Sequence, residues 1–179
     1  FPPADTPEFK ERMTENQAIA ERTAYTVEEA LAPLDAVAKL RDRETSRRWQ
    51  AQYDLARGRL LAMKVRCFTY NWICARMKKD PLKFENPRSN AWRLVADDSN
   101  GYSEKVEADA QEALRLLRRV VDEHPETPWA LLAGRDLKDP LGFKWVETYV
   151  PPPRRNDNDP ATAKRKREMT PKPQAPPKL

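Results

Sequence analysis

Apolar residues recur at alternating spacings of four and three along Ser46–Lys78: Trp49, Tyr53, Ala56, Leu60, Met63, Cys67, Tyr70, Cys74 and Met77. This heptad seam contains no Pro and a single Gly, Gly58, and it predicts one helix about 50 Å long at ~1.5 Å per residue. A second stripe, Leu61, Val65, Phe68, Trp72 and Ala75, leaves the cylinder from nearly the opposite side. Two apolar faces need more than one neighbour, so the C-terminal half is expected to be buried and the helix to act as the hub of an intramolecular bundle.

The flanking segments carry weaker versions of the same pattern. Thr6-Pro7 reads as an N-cap with Pro in the first turn, and Phe9, Met13, Asn16 and Ala20 predict a first helix to about Arg22. Thr26 with Glu29 reads as a capping box for a second helix to about Asp42, kinked or broken near Ala32 by Pro33. After Lys79 the period stops, and a loop runs to Gly101 with one short extended piece at Trp92–Val95. Val106, Ala110, Ala113, Leu117 and Val120 predict a fourth helix from Ser103 to Glu123, antiparallel to the hub. His124-Pro125 ends it; Thr127-Pro128 opens a short fifth helix, which Asp139-Pro140 terminates. Leu141, Phe143 and Trp145 form an alternating apolar strip expected to cover one end.

Composition supports a helical protein and locates the charge. Four glycines against seventeen prolines argue against a β-rich fold, whose turns demand Gly. The eight basic and three acidic residues of 151–179 account for the whole net charge of +5, so residues 1–150 are neutral. A globular nucleic-acid-binding domain is expected to carry its own basic patch. The tail is Pro-rich, basic and aperiodic, and is expected to be disordered. Within it Arg154, Arg155, Lys164, Arg165, Lys166 and Arg167 are the candidate contacts to a polyanion, a nucleic acid or an anionic surface. The opening FPPADTPEF has no initiator Met and leads us to expect a fragment or a processed product.

Candidate chemistry is sparse. Cys67 and Cys74 lie two turns apart on the hub, ~10 Å between Cα atoms, too far for a disulfide and expected to be buried thiols. His124, the only histidine, reads as a turn residue. One His and two Cys cannot build a tetrahedral metal site, and Asp97-Asp98-Ser99-Asn100-Gly101 lacks the last hydroxyl ligand of an Asp-x-Ser-x-Ser metal-adhesion motif, leaving a polar turn. No phosphate-binding Gly-rich loop occurs. No catalytic residue, cofactor or metal is expected. Trp92, Trp129, Phe143 and Trp145, with the exposed half of the Ser46–Gly58 face, are the candidate partner-facing or packing surface.

Two resemblances extend this picture. The stretch His-Pro-Glu-Thr-Pro-Trp-Ala-Leu-Leu-Ala-Gly at 124–134, with Ala113 and Leu117 upstream, resembles the junction of a tetratricopeptide-type hairpin over 106–138, although no 34-residue period recurs. Across residues ~46–145, the blocks Arg48-Trp49-Gln50-Ala51, Tyr53-Asp54-Leu55-Ala56, Trp92-Arg93-Leu94, Thr127-Pro128-Trp129-Ala130 and Pro140-Leu141-Gly142-Phe143-Lys144-Trp145 are similar to the C-terminal helical region of large bacterial von Willebrand factor A domain-containing proteins. That resemblance implies an accessory region of a larger bacterial protein and favours an extracytoplasmic location; the A domain itself is upstream in that group and none of its metal ligands transfers here.

The expectation is thus an all-α fold: a helical bundle with TPR-like hairpins around one long central helix. N-terminal helices (1–45) pack on a core domain (46–149), and a disordered tail (150–179) follows. The expected function is a noncatalytic scaffold or protein–protein interaction module, with polyanion binding through the tail as the alternative.

Overall fold

The computed structural model describes residues 1–98 and 103–152. In order these form helix α1 (Pro7–Ala36), a 3-10 helix (Ala38–Arg43), helix α2 (Arg47–Lys79), strand β1 (Ala91–Asp97), helices α3 (Glu104–Glu123) and α4 (Pro128–Asp136), and strand β2 (Gly142–Thr148). All lie within the unit Phe1–Tyr149. The described residues are mostly helical, 66% helix against 9% strand, but the two strands correct the all-α expectation.

The first two predicted helices are one. No cap forms at Thr26; its hydroxyl donates instead to the Arg22 carbonyl at 3.1 Å, as those of Thr14 and Thr23 do to Lys10 and Ile19. A threonine that bonds its own preceding turn continues a helix rather than starting one. Pro33 lies inside α1, which continues past the expected break near Ala32 to Ala36 before Val37 and the 3-10 helix. The other starts follow local chemistry. Thr6, Ser103 and Thr127 accept from the N–H groups of Phe9, Val106 and Ala130, each such cap contributing about 1 kcal/mol.

Inside the 80–101 stretch, β1 pairs antiparallel with β2, Trp92 opposite Glu147 and Leu94 opposite Trp145. The strip at 141–145 is therefore half of a sheet. On the outer edge of β1, Phe1 and Trp92 exchange two backbone hydrogen bonds, both 2.8 Å. The sheet rests on α2: Thr69 Oγ1 donates to the Leu141 carbonyl at 3.2 Å, and Trp145 Nε1 to that of Ile73 at 3.4 Å.

Helix α2 packs against α1, α3, α4 and β2 and stands between α1 and α3, whose buried Val27 and Leu31 and Ala110, Ala113 and Leu116 belong to one core cluster with Leu61 and Val65 of α2. Its buried face is not the predicted seam. Cys67, Cys74 and Met77 are buried, yet Trp49 and Met63 are 56% and 46% exposed. From the second stripe Leu61 and Val65 are buried, whereas Phe68 and Trp72 are exposed. The α3-facing line uses smaller residues instead, with Ala51, Leu55, Gly58 and Ala62 buried. The two lines share the same four-three spacing, so spacing alone does not choose between them; the line with Ala and Gly is the one that lets α3 approach closely. Gly58 marks the closest approach: a Cβ there would meet Leu117 Cγ at 3.1 Å and Leu116 Cβ at 3.3 Å.

Candidate functional site

Three charged side chains on one side of α2 tie the helix to both neighbours. Asp54, Arg57 and Lys64 each stand between partners of opposite sign. The Asp54 carboxylate is fully buried and takes Arg41 of the 3-10 helix, Nε to Oδ2 at 3.0 Å, and Arg119 of α3. Arg41 also reaches Glu123 at 2.7 Å, and Arg47 donates to the Glu123 carbonyl oxygen at 2.8 Å. Arg57 bridges Asp35 of α1 (2.9 Å) and Glu112 of α3 (2.6 Å). Lys64 bridges Glu28 of α1 (3.6 Å) and Asp109 of α3 (2.9 Å). Through Arg57 and Lys64 the polar edge of α2 thus links carboxylates of α1 to carboxylates of α3.

The electrostatics follow this geometry. Burial by itself would lower Lys64 and Arg57, and their flanking carboxylates overcome it, holding both pKa values above the ordinary ones. The hydrogen bond from Arg115, against some desolvation and with help from Arg57, holds Glu112 below the carboxylate range; Arg41 does the same for Glu123. Both Asp54 oxygens accept from guanidinium groups, so neither is presented to a substrate. The cysteines are free and buried. Burial pushes the Cys67 thiol up and Cys74 up to about 11, which keeps both protonated and weakly nucleophilic. Among the described residues no cluster of His, Cys, Asp or Glu could hold a metal ion.

His124 closes α3 and is buried, with Nε2 lacking a hydrogen-bond partner among the described residues. Desolvation lowers its pKa; Glu123 and Asp54 oppose, while Arg47 and Arg41 reinforce. A histidine depressed in the folded state takes up its proton first in the unfolded chain. Stability is therefore fully present above the unfolded value, about 6.5, and declines as pH falls through it. Urea midpoints measured between pH 7.5 and 5.5 are expected to fall, and His124→Phe to flatten that slope; an unchanged slope in the variant would assign it to the carboxylates.

Beside the Asp54 cluster the 3-10 helix and the start of α2 enclose a groove of about 270 Å3, lined by Val37, Leu40, Arg41, Glu44, Trp49 and Tyr53. Val37, Leu40 and Trp49 are 41%, 53% and 56% exposed. Tyr53 is fixed by donating to the Leu34 carbonyl at 3.1 Å, and the Arg48 guanidinium stands 5.9 Å from the Trp49 ring centroid. This is the largest aromatic side chain left open near the charged frame.

The four aromatics singled out in the sequence are placed differently. Trp92 is buried, stacked on Phe84 at 5.0 Å. Trp145 is half-buried against Phe1 and Phe9, at 5.7 and 5.8 Å, and Phe143 meets Tyr70 edge-on at 6.1 Å. These three gather at the sheet, whereas Trp129, in the first turn of α4, packs in the cluster of Leu55, Leu117 and Val120. Arg154, Arg155, Lys164, Arg165, Lys166 and Arg167 lie outside the described residues, as do Ser99, Asn100 and Gly101 of the Asp97 motif. Sequence reasoning missed Asp54, Arg57 and Lys64 as a set. Their signal was faint: charges at spacings of three and seven, inside the helix and beside its apolar stripes.

No protein-family profile, curated protein sequence or solved structure matches this chain.

Proposed function

We propose that this protein is a noncatalytic scaffold, a protein–protein interaction module of the helical-bundle kind with α3 and α4 as its TPR-like hairpin. The observation that carries this reading is the Val37–Leu40–Trp49 groove: three large apolar side chains exposed together on a frame whose buried charges are already paired. Exposed apolar clusters with a Trp at the centre are the usual anchors of partner binding. A scaffold must hold such a surface in one geometry, and the Asp54, Arg57 and Lys64 bridges do so by locking three helical segments together. The resemblance to accessory regions of von Willebrand factor A domain-containing proteins points the same way.

The test is a photo-cross-linking residue in place of Gln50, which also lines the groove, in cells that make the protein. Discrete adducts to another polypeptide are expected, absent when the cross-linker replaces exposed Glu11 instead and lost with Leu40→Asp. Equal labelling at both positions would overturn the assignment.

A second reading rests on the location of charge. The +5 of residues 151–179 beside a neutral body favours polyanion binding through the tail. Deleting 153–179 is expected to abolish any salt-dependent retention on heparin or RNA and to leave the Gln50 adducts intact. Retention that survives the deletion would remove the tail from the explanation.

A further inference from the structure

The groove beside Trp49 carries information about what fills it. We infer that its occupant is an acidic amphipathic segment of another polypeptide, placing a large apolar side chain against Trp49 with carboxylates at the rim. This deepens the interaction-module reading and rests on it.

Three observations lead there. The first is size. At about 270 Å3 the groove falls below the ~300–1,000 Å3 of sites that enclose a drug-sized ligand, and suits one or two side chains of a peptide. The second is the apolar wall, since Val37 and Leu40 stand three residues apart, where side chains of a 3-10 turn eclipse, and Trp49 faces them across the groove.

The third is charge. Arg43 follows Leu40 at the same interval and Arg48 flanks Trp49. With Lys39 they are exposed cations that have no ion-pair partner among the described residues. Of the neighbouring anions, Asp42 pairs with Arg41 at 3.3 Å, and Glu44, in the groove lining, accepts from the Ser46 N–H at 2.8 Å and is a single negative charge against the three cations. Helix α2 also begins with Arg47 and Arg48 and no acidic residue in its first turn. Incoming carboxylates therefore find unspent positive charge around an apolar centre, the pairing that steers encounter and fixes orientation.

The experiment uses a displayed library of short random peptides panned against the full chain. Enriched sequences are expected to combine large apolar residues with Asp or Glu. A synthetic peptide of the enriched sequence should bind at least about tenfold more weakly to Trp49→Ala, a loss of about 1.4 kcal/mol, and similarly to Arg43→Glu/Arg48→Glu. Binding should also weaken as NaCl is raised. Both variants alter exposed side chains, and unchanged unfolding midpoints will show that they are folded. The inference is overturned by panning that enriches nothing dependent on Trp49, by enriched peptides without acidic residues, or by a concentration-dependent dimer that Trp49→Ala dissolves, which would give the groove to a second copy. If cross-links from residue 50 persist while acidic peptides fail, only the occupant's chemistry falls; if both fail, so does the interaction-module reading.

Discussion

Asp54→Ala is expected to lower the stability of the protein by about 3–5 kcal/mol, the range seen when one partner of a buried ion pair is removed. The carboxylate is fully buried and lies between two guanidinium groups, from residues 13 and 65 positions away in sequence. Its loss leaves Arg41 and Arg119 as like charges facing each other with little water to screen them. Arg41 keeps its ion pairs with Glu123 and Asp42, whereas Arg119 keeps Asp42 at 3.9 Å and the more distant field of Glu123, so the repulsion falls mainly on the contact between α3 and the 3-10 helix. For a fold of about 150 residues the loss corresponds to a fall in Tm of about 6–20 °C. Urea denaturation and thermal melting will measure it. A companion variant separates pairing from packing: Asp54→Leu with Arg41→Met and Arg119→Met removes all three charges, and is expected to regain most of the lost stability, because a buried ion cluster replaced whole by apolar groups is often neutral or better. Asp54→Ala at less than about 1 kcal/mol would show that the cluster is solvated and does not hold the helices.

Phe9→Ala is expected to cost a similar amount, about 3–5 kcal/mol, for a different reason and at the other end of α2. Phe9 is fully buried, 6.0 Å from Phe1 and 5.8 Å from Trp145, in a cluster with Met13, Met77 and Trp92. It joins the start of α1 to the sheet through side chains alone. Its removal should free Phe1, so the Trp92 amide bonded to the Phe1 carbonyl becomes the reporter. Hydrogen exchange at that amide is expected to accelerate more than exchange at the α3 amides. Uniform acceleration throughout would mean that the cluster unfolds only with the whole domain.

These two variants probe features of unequal visibility. Phe9 stands in a four-three pattern behind a Thr-Pro cap and is readable as core from residues 6–20 alone. Asp54 sits between Tyr53 and Leu55, where a charge at a stripe's margin normally faces water. Nothing local distinguishes it from Asp122, which stays exposed.

Local chemistry determined much of the molecule. The extents of α2, α3 and α4 and the caps at Thr6, Ser103 and Thr127 are written in neighbouring residues, because a helix satisfies its backbone hydrogen bonds within itself and needs only a cap and an apolar stripe. Other features required the tertiary structure. The pairing of β1 with β2 joins segments about 50 residues apart. The choice among the stripes of α2 depended on which line α3 could approach closely, at Gly58. The burial of Asp54 belongs to this second group. A strand's hydrogen bonds and a buried charge's partners come from distant parts of the chain, and only the folded molecule brings them within reach.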